Sequence, residues 1–196
     1  SLTSKFQSQK EQTNDQDLLN LGENVMAYGI ALVSLEQFNE ALECFRFSNN
    51  IFQAKYGSDH LRIAETLHHT GNVLEKLGDT SPSSDQLHEA LELLTEALRI
   101  RKLHLVDSHP DIEETLLCLG KVHHRRGNIR YALDFFCAAV TARDSRLGRK
   151  SLRMNDAESF LQVGLLQQEA GEFRHALNSF EECLRIRRHI VKEDDS

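Results

Sequence analysis

Over 196 residues the chain has no tryptophan and only two prolines and two methionines. So few helix breakers leave room for long uninterrupted helices. No apolar run approaches the roughly 18 residues that a bilayer span requires, and no signal-like apolar stretch opens the chain. A protein that does not insert into membranes is expected. Basic charge is also short: 23 Lys and Arg against 30 Asp and Glu leave a net charge of -7. That balance argues against nucleic acid as a partner, since such affinity depends on cations neutralising phosphates. The basic stretches His123-His124-Arg125-Arg126 and Arg185 to His189 are flanked by acidic helical sequence and read as solvated faces. The four cysteines, Cys44, Cys118, Cys137 and Cys183, form no C-x-x-C pair. Each falls within a helical apolar pattern as a small hydrophobe would, so a reduced, cytoplasmic chain is expected.

Signatures of chemistry are missing too. There is no glycine-rich phosphate loop, no G-x-S-x-G elbow and no H-E-x-x-H. His68-His69 and His123-His124 are adjacent pairs, pointing to different sides of a helix, and lack the i, i+4 spacing of a helical zinc site. The expectation is no metal, no cofactor, no catalytic residue and no enzyme.

What is present is repetition. Gly29, Gly71, Gly120 and Gly164 recur at intervals of 42, 49 and 44 residues. A large apolar residue stands four before each, and Ala41, Ala90, Ala132 and Ala176 follow, each with Phe45, Leu94, Phe136 or Phe180 four later. Such a period marks units that cannot bury their apolar faces alone. Apolar residues spaced by three and four, such as Ile63, Leu67, Val73, Leu74 and Leu77, make these units helical. The reading is four repeats over 16–191 (about 16–57, 58–107, 108–149 and 150–191), a polar tail at 1–15 and an acidic tail at 192–196.

Glycine in mid-helix costs about 1 kcal/mol relative to alanine. Four such positions predict a neighbouring helix too close for a side chain. Gly78, Gly127 and Gly171, seven residues on, suit the left-handed position that ends a helix, and Gly57 and Gly148 can close second helices. Glu36 stands where the first repeat would have this glycine, so a different turn is expected there, and Gly22 has no assigned role. Ser108 before Pro110-Asp111, and Ser58-Asp59, are the expected helix starts. The longer interval of 49 is explained by a polar loop of seven residues, Thr80 to Gln86, whose Ser81-Pro82 offers a candidate phosphorylation site at Ser81.

The frame Leu67…Gly71…Gly78…Ala90…Leu94…Ala97, with Leu116…Gly120…Gly127…Ala132…Phe136…Ala139, Phe160…Gly164…Gly171…Ala176…Phe180 and Val25…Gly29…Phe38…Ala41…Phe45, resembles the tetratricopeptide repeat. The period near 42, with Ser58-Asp59-His60 and Ser108-His109-Pro110-Asp111 at the junctions, is similar to the kinesin light chain variety. The resemblance implies an all-α fold, a right-handed alpha-alpha superhelix (solenoid) of about four helical hairpins. It also implies a non-enzymatic adaptor or scaffold that captures a protein or peptide partner in its concave groove. The paired asparagines of kinesin light chains are replaced by Met26-Ala27, His68-His69, Leu117-Cys118 and Leu161-Gln162, so kinesin-type cargo recognition is not carried over.

In such a superhelix, first-helix residues three before and one, four and five after the glycine line the groove. These are Met26, Ile30, Val33 and Ser34; His68, Asn72, Glu75 and Lys76; Leu117, Lys121, His124 and Arg125; and Leu161, Leu165, Gln168 and Glu169. The centre is cationic and hydrogen-bonding, with apolar patches at both ends, which suits a peptide carrying central acidic residues and outer apolar anchors. A carboxylate clamp for chaperone tails would need Lys and Asn where Met26 and Ile30 stand. The acidic column Glu23, Glu65, Glu114 and Glu158 reads as a complement to the helix macrodipole. Two alternatives stay open. One is a regulatory peptide sensor. The other is self-association, including a homodimer, through the uncovered last helix with Leu177, Phe180, Leu184 and Ile186.

Overall fold

A computed structural model describes residues 15–78, 84–147 and 154–194. Among them the regular elements are all α-helices: α1 (Asp15–Ser34), α2 (Phe38–Tyr56), α3 (Leu61–Leu77), α4 (Ser84–His104), α5 (Pro110–Arg125), α6 (Ile129–Leu147), α7 (Met154–Glu169) and α8 (Phe173–Asp194). The chain divides into two units, Ser1–His104 and Leu105–Ser196. In the first, α1 pairs with α2 and α3 with α4, while α2 also packs on α3. In the second, α5 pairs with α6 and α7 with α8, and α6 packs on α7.

The glycine column works by proximity. A Cβ at Gly29, Gly71, Gly120 or Gly164 would meet Phe45, Leu94, Phe136 or Phe180 at 2.8, 2.7, 2.9 and 2.5 Å respectively. The large residue four after each repeat's alanine therefore fills the space that its glycine vacates. Phe45 and Leu94 are wholly enclosed there, and burying a side chain of this size contributes about 1.5–3 kcal/mol. Gly22 serves the same purpose one face over, with Phe52 3.0 Å from a would-be Cβ and the Ser48 hydroxyl donating to its carbonyl at 2.9 Å.

The turns correct two expectations. Glu36 does not build a different turn. Its N–H reaches the Val33 carbonyl at 3.1 Å, and the Gln37 N–H reaches the Leu32 carbonyl at 2.9 Å. The same pair of bonds recurs at Gly127-Asn128 and Gly171-Glu172. Glu36 accordingly sits at φ 59°, beside 74° at Gly127 and 78° at Gly171, and accepts a left-handed backbone that costs a non-glycine residue about 1–2 kcal/mol. Gly78, by contrast, is right-handed (φ -59°, ψ -16°) and bonds to the Leu74 carbonyl. Gly78 instead makes room for Leu87, which would lie 2.9 Å from its Cβ. The last inserted residues, from Ser84 on, begin α4; Ser81 and Gly148 lie outside the described residues.

Helix starts differ as well. The caps are His60 and His109, not the serines before them, and each imidazole Nδ1 accepts the backbone N–H two residues on, at 3.2 Å. A neutral imidazole has one such acceptor nitrogen. Pro110 follows at the first helical position, as expected. The acidic column lies beyond the first turns of its helices, so the macrodipole does not account for it. Arg62 bridges Glu23 at 2.7 Å and Glu65 at 3.0 Å, and Arg187 approaches Glu158 at 3.6 Å.

A buried ionic cluster fastens the second unit. Glu113 on α5 accepts from Arg143 Nε at 2.6 Å and pairs with Arg146 at 2.8 Å, both on α6. Arg143 also donates to Ser159 of α7 at 3.0 Å. Glu113 occupies the column filled elsewhere by Gly22, Ala64 and Ala157, and Arg143 the column of Phe52, Arg101 and Arg187. The Glu113–Arg143 pair thus replaces the Gly22–Phe52 contact of the first repeat.

Candidate partner-binding faces

The first helices of the first unit are α1 and α3. Of the residues expected to line their groove side, Met26 and His68 are buried, His68 completely. They belong to the packed interior and offer no surface to a partner. His68 sits edge-on to His69, which stacks on Phe45 at 5.3 Å, and Glu75 is enclosed as well. Ile30 and Lys76 are exposed and Asn72 is half-buried. The Lys76 ammonium lies 5.9 Å from the Phe38 ring centroid, an arrangement that steadies the cation without neutralising it.

In the second unit the cations of α5 reach solvent: Lys121, His124 and Arg125 are all exposed. His124 Nε2 lies 3.1 Å from a Glu169 carboxylate oxygen, which brings α5 and α7 side by side at this point. Leu165 stands one turn before Glu169 on α7 and is exposed too. Leu117 and Leu161 are only half-available. Leu117 packs on the cluster of Ala132, Phe136, Val163 and Leu166, and Leu161 on that of Ala157, Cys183 and Ile186. Cations and an apolar side chain therefore share one accessible face here.

One histidine that sequence reasoning treated as part of a solvated stretch is embedded. His123 stacks on Tyr131 at 5.3 Å and on Phe135 at 5.2 Å, and its Nδ1 is buried without a hydrogen-bond partner. Burial, and then the nearby Arg126 charge, lower its pKa. Three cysteines are buried as expected, but Cys137 is exposed. Burial pushes the Cys44 thiol up to about 11, which suits an inert core group.

The last helix is only partly as anticipated. Ile186 is buried and Phe180 half-buried beneath α7, whereas Leu177 and Leu184 are exposed. Phe173 and Val191 join them on the outer side, at 70% and 57% exposure, with Leu177 at 58% and Leu184 at 50%. No helix among the described residues is long and apolar enough to cross a membrane.

Comparison with known proteins agrees with this architecture. The tetratricopeptide repeat pattern matches residues 23–87 and again 157–196, together just over half of the chain. Amyloid protein-binding protein 2 of Rattus norvegicus is 26% identical over 125 residues, covering 63% of this chain and 21% of that protein; its Mus musculus counterpart matches equally. The match thus takes in about a fifth of the length of those curated relatives. Among solved structures, BtubC (BKLC) from P. vanneervenii superposes with a TM-score of 0.81 at 14% identity, over 92% of this chain and 68% of that one. The kinesin light chain nearly identical TPR-like repeats of Podosopora anserina give 0.70 at 18% identity, over 91% and 78%. At such identities the likeness is one of fold. The chain belongs to the tetratricopeptide repeat family.

Proposed function

We propose that the chain is a non-enzymatic, protein-binding repeat scaffold that captures an acidic peptide on the first-helix faces of its units. The observation that carries this reading is the α5–α7 face, where exposed Lys121, His124 and Arg125 stand beside exposed Leu165. Cations there pair with carboxylates of the ligand while Leu165 takes an apolar anchor. Ile30, Asn72 and Lys76 offer a similar mixture on α1 and α3. Protein binding is also what the name of the rat relative describes for that protein.

The test is selection from a random displayed peptide library, followed by fluorescence anisotropy with the selected peptides. Peptides rich in Asp and Glu with apolar flanks are expected. Lys121→Glu with Arg125→Glu should weaken them at least about tenfold, with unchanged helicity by circular dichroism. Selected peptides without acidic residues, or binding indifferent to the double reversal, would overturn the proposal. A second reading, self-association through α8, is favoured by the exposure of Phe173, Leu177, Leu184 and Val191.

A further inference from the structure

The repeat itself shows what this face of a second helix is for. Counted from the glycine column, Phe173, Leu177, Leu184 and Val191 of α8 correspond to Phe38, Leu42, Asn49 and Tyr56 of α2. On α2 those positions meet α3: Lys76 lies over Phe38, Thr66 Oγ1 donates to Asn49 at 2.7 Å, and His60 stacks on Tyr56 at 4.1 Å. The start of α2 thus meets the end of α3, and its end meets the start of α3, so the covering helix runs antiparallel. On α6 the equivalent Ile129 and Leu133 pack against the cluster that joins Ala132 and Phe136 of that helix to Val163 and Leu166 of α7. The same stripe on α8 is exposed among the described residues.

The charges beside the stripe indicate which antiparallel helix fits. At 3.6 residues per turn, Leu177, Leu184 and Val191 are spaced by seven and form one line, with Glu181 and Arg188 along a single flank. Both are exposed, and neither has an ion-pair partner among the described residues. With Leu184, Arg185 and His189 they line a depression of about 640 Å³. The acid lies on the N-terminal side of Leu184 and the base on the C-terminal side, at about 5 Å each along the axis from a centre just past Leu184. A two-fold axis through that centre sets Glu181 of one helix level with Arg188 of the other. Leu177 then comes opposite Val191, and the two Leu184 side chains meet. The face is complementary to itself in charge and in apolar register, which an isologous interface requires.

We infer that α8 is a homodimerisation surface, pairing antiparallel with α8 of a second copy around Leu184 through reciprocal Glu181–Arg188 contacts. This rests on the self-association reading and leaves peptide capture on the first helices independent of it. Sedimentation velocity over a concentration series of the chain should show reversible association that stops at the dimer. Leu184→Glu, at an exposed position, should weaken association about 100-fold with helicity retained. Glu181→Arg and Arg188→Glu should each weaken it about tenfold, and the two together should restore it.

A monomer at every concentration would overturn the interface and the self-association reading together. Association that ignores Leu184→Glu, fails to recover in the charge swap, or grows past the dimer would overturn the α8 pairing and leave self-association by another face.

Discussion

Glu36 carries the clearest local strain among the described residues. It holds the left-handed conformation that Gly127 and Gly171 hold in the third and fourth repeats, through the same two backbone bonds. Glu36→Gly should therefore stabilise the protein by about 1 kcal/mol, read as a higher urea midpoint at unchanged slope. Gly29 is the opposite case. Phe45 lies 2.8 Å from a would-be Cβ and is itself fully enclosed, so it has nowhere to retreat. Gly29→Ala gains about 1 kcal/mol of helix propensity but overpacks the contact at about 1–3 kcal/mol. Net destabilisation is expected in the same titration. The close approach at Gly29 was legible in the sequence, because glycine recurs where a helix would prefer alanine. The turn at Glu36 was not, because the backbone bonds that close the α1–α2 turn override the residue's own preference.

At the scale of the helix, His123 joins α5 to α6 through its stacking on Tyr131 and Phe135. Its folded pKa is depressed by burial and by Arg126, so the unfolded chain takes up the proton first as pH falls. The contribution of this group is complete above the unfolded value of about 6.5 and is lost as pH drops through the folded one. His123→Phe keeps the stacking and removes the titration. Thermal melts from neutral to acidic pH should show a smaller loss of stability in the variant than in the parent. An equal loss in both would show that His123 does not titrate against folding. The caps taught a related lesson. His60 and His109 use an acceptor nitrogen whose availability depends on ring orientation, which residue spacing does not convey, whereas Pro110 at the first helical position could be read directly.

At the scale of the molecule, a repeat chain is held by contacts between neighbours, and the two units use different chemistry for it. The first places Phe52 against Gly22, and the second buries Glu113 with Arg143 and Arg146 and ties them to Ser159. Glu113→Ala leaves Arg143 buried without its carboxylate and should destabilise the second unit by about 3–5 kcal/mol. Hydrogen exchange should register the change in α5–α8 and leave the protection of α1–α4 unaltered. Adding Arg143→Phe, with Glu113→Gly in place of the alanine, would mimic the first repeat and should recover much of the loss. The position was visible in the sequence as a break in a column of Gly22, Ala64 and Ala157. Its partners were not, since pairing the two columns requires knowing which faces of the first and second helices meet.

The amino-acid order determined that this chain is a series of helical hairpins, because the spacing of apolar residues, glycines and alanines depends only on helix geometry and on the need to bury one face against a neighbour. It also placed Lys121, His124, Arg125 and Leu165 on accessible surface. Only tertiary structure decided that Met26 and His68 are interior, that Glu23, Glu65 and Glu158 of the acidic column are met by Arg62 and Arg187, and that Ile186 is covered while Leu177 and Leu184 are not. Exposure belongs to the packing of several helices at once, and residues a turn apart on one helix can fall on either side of that boundary.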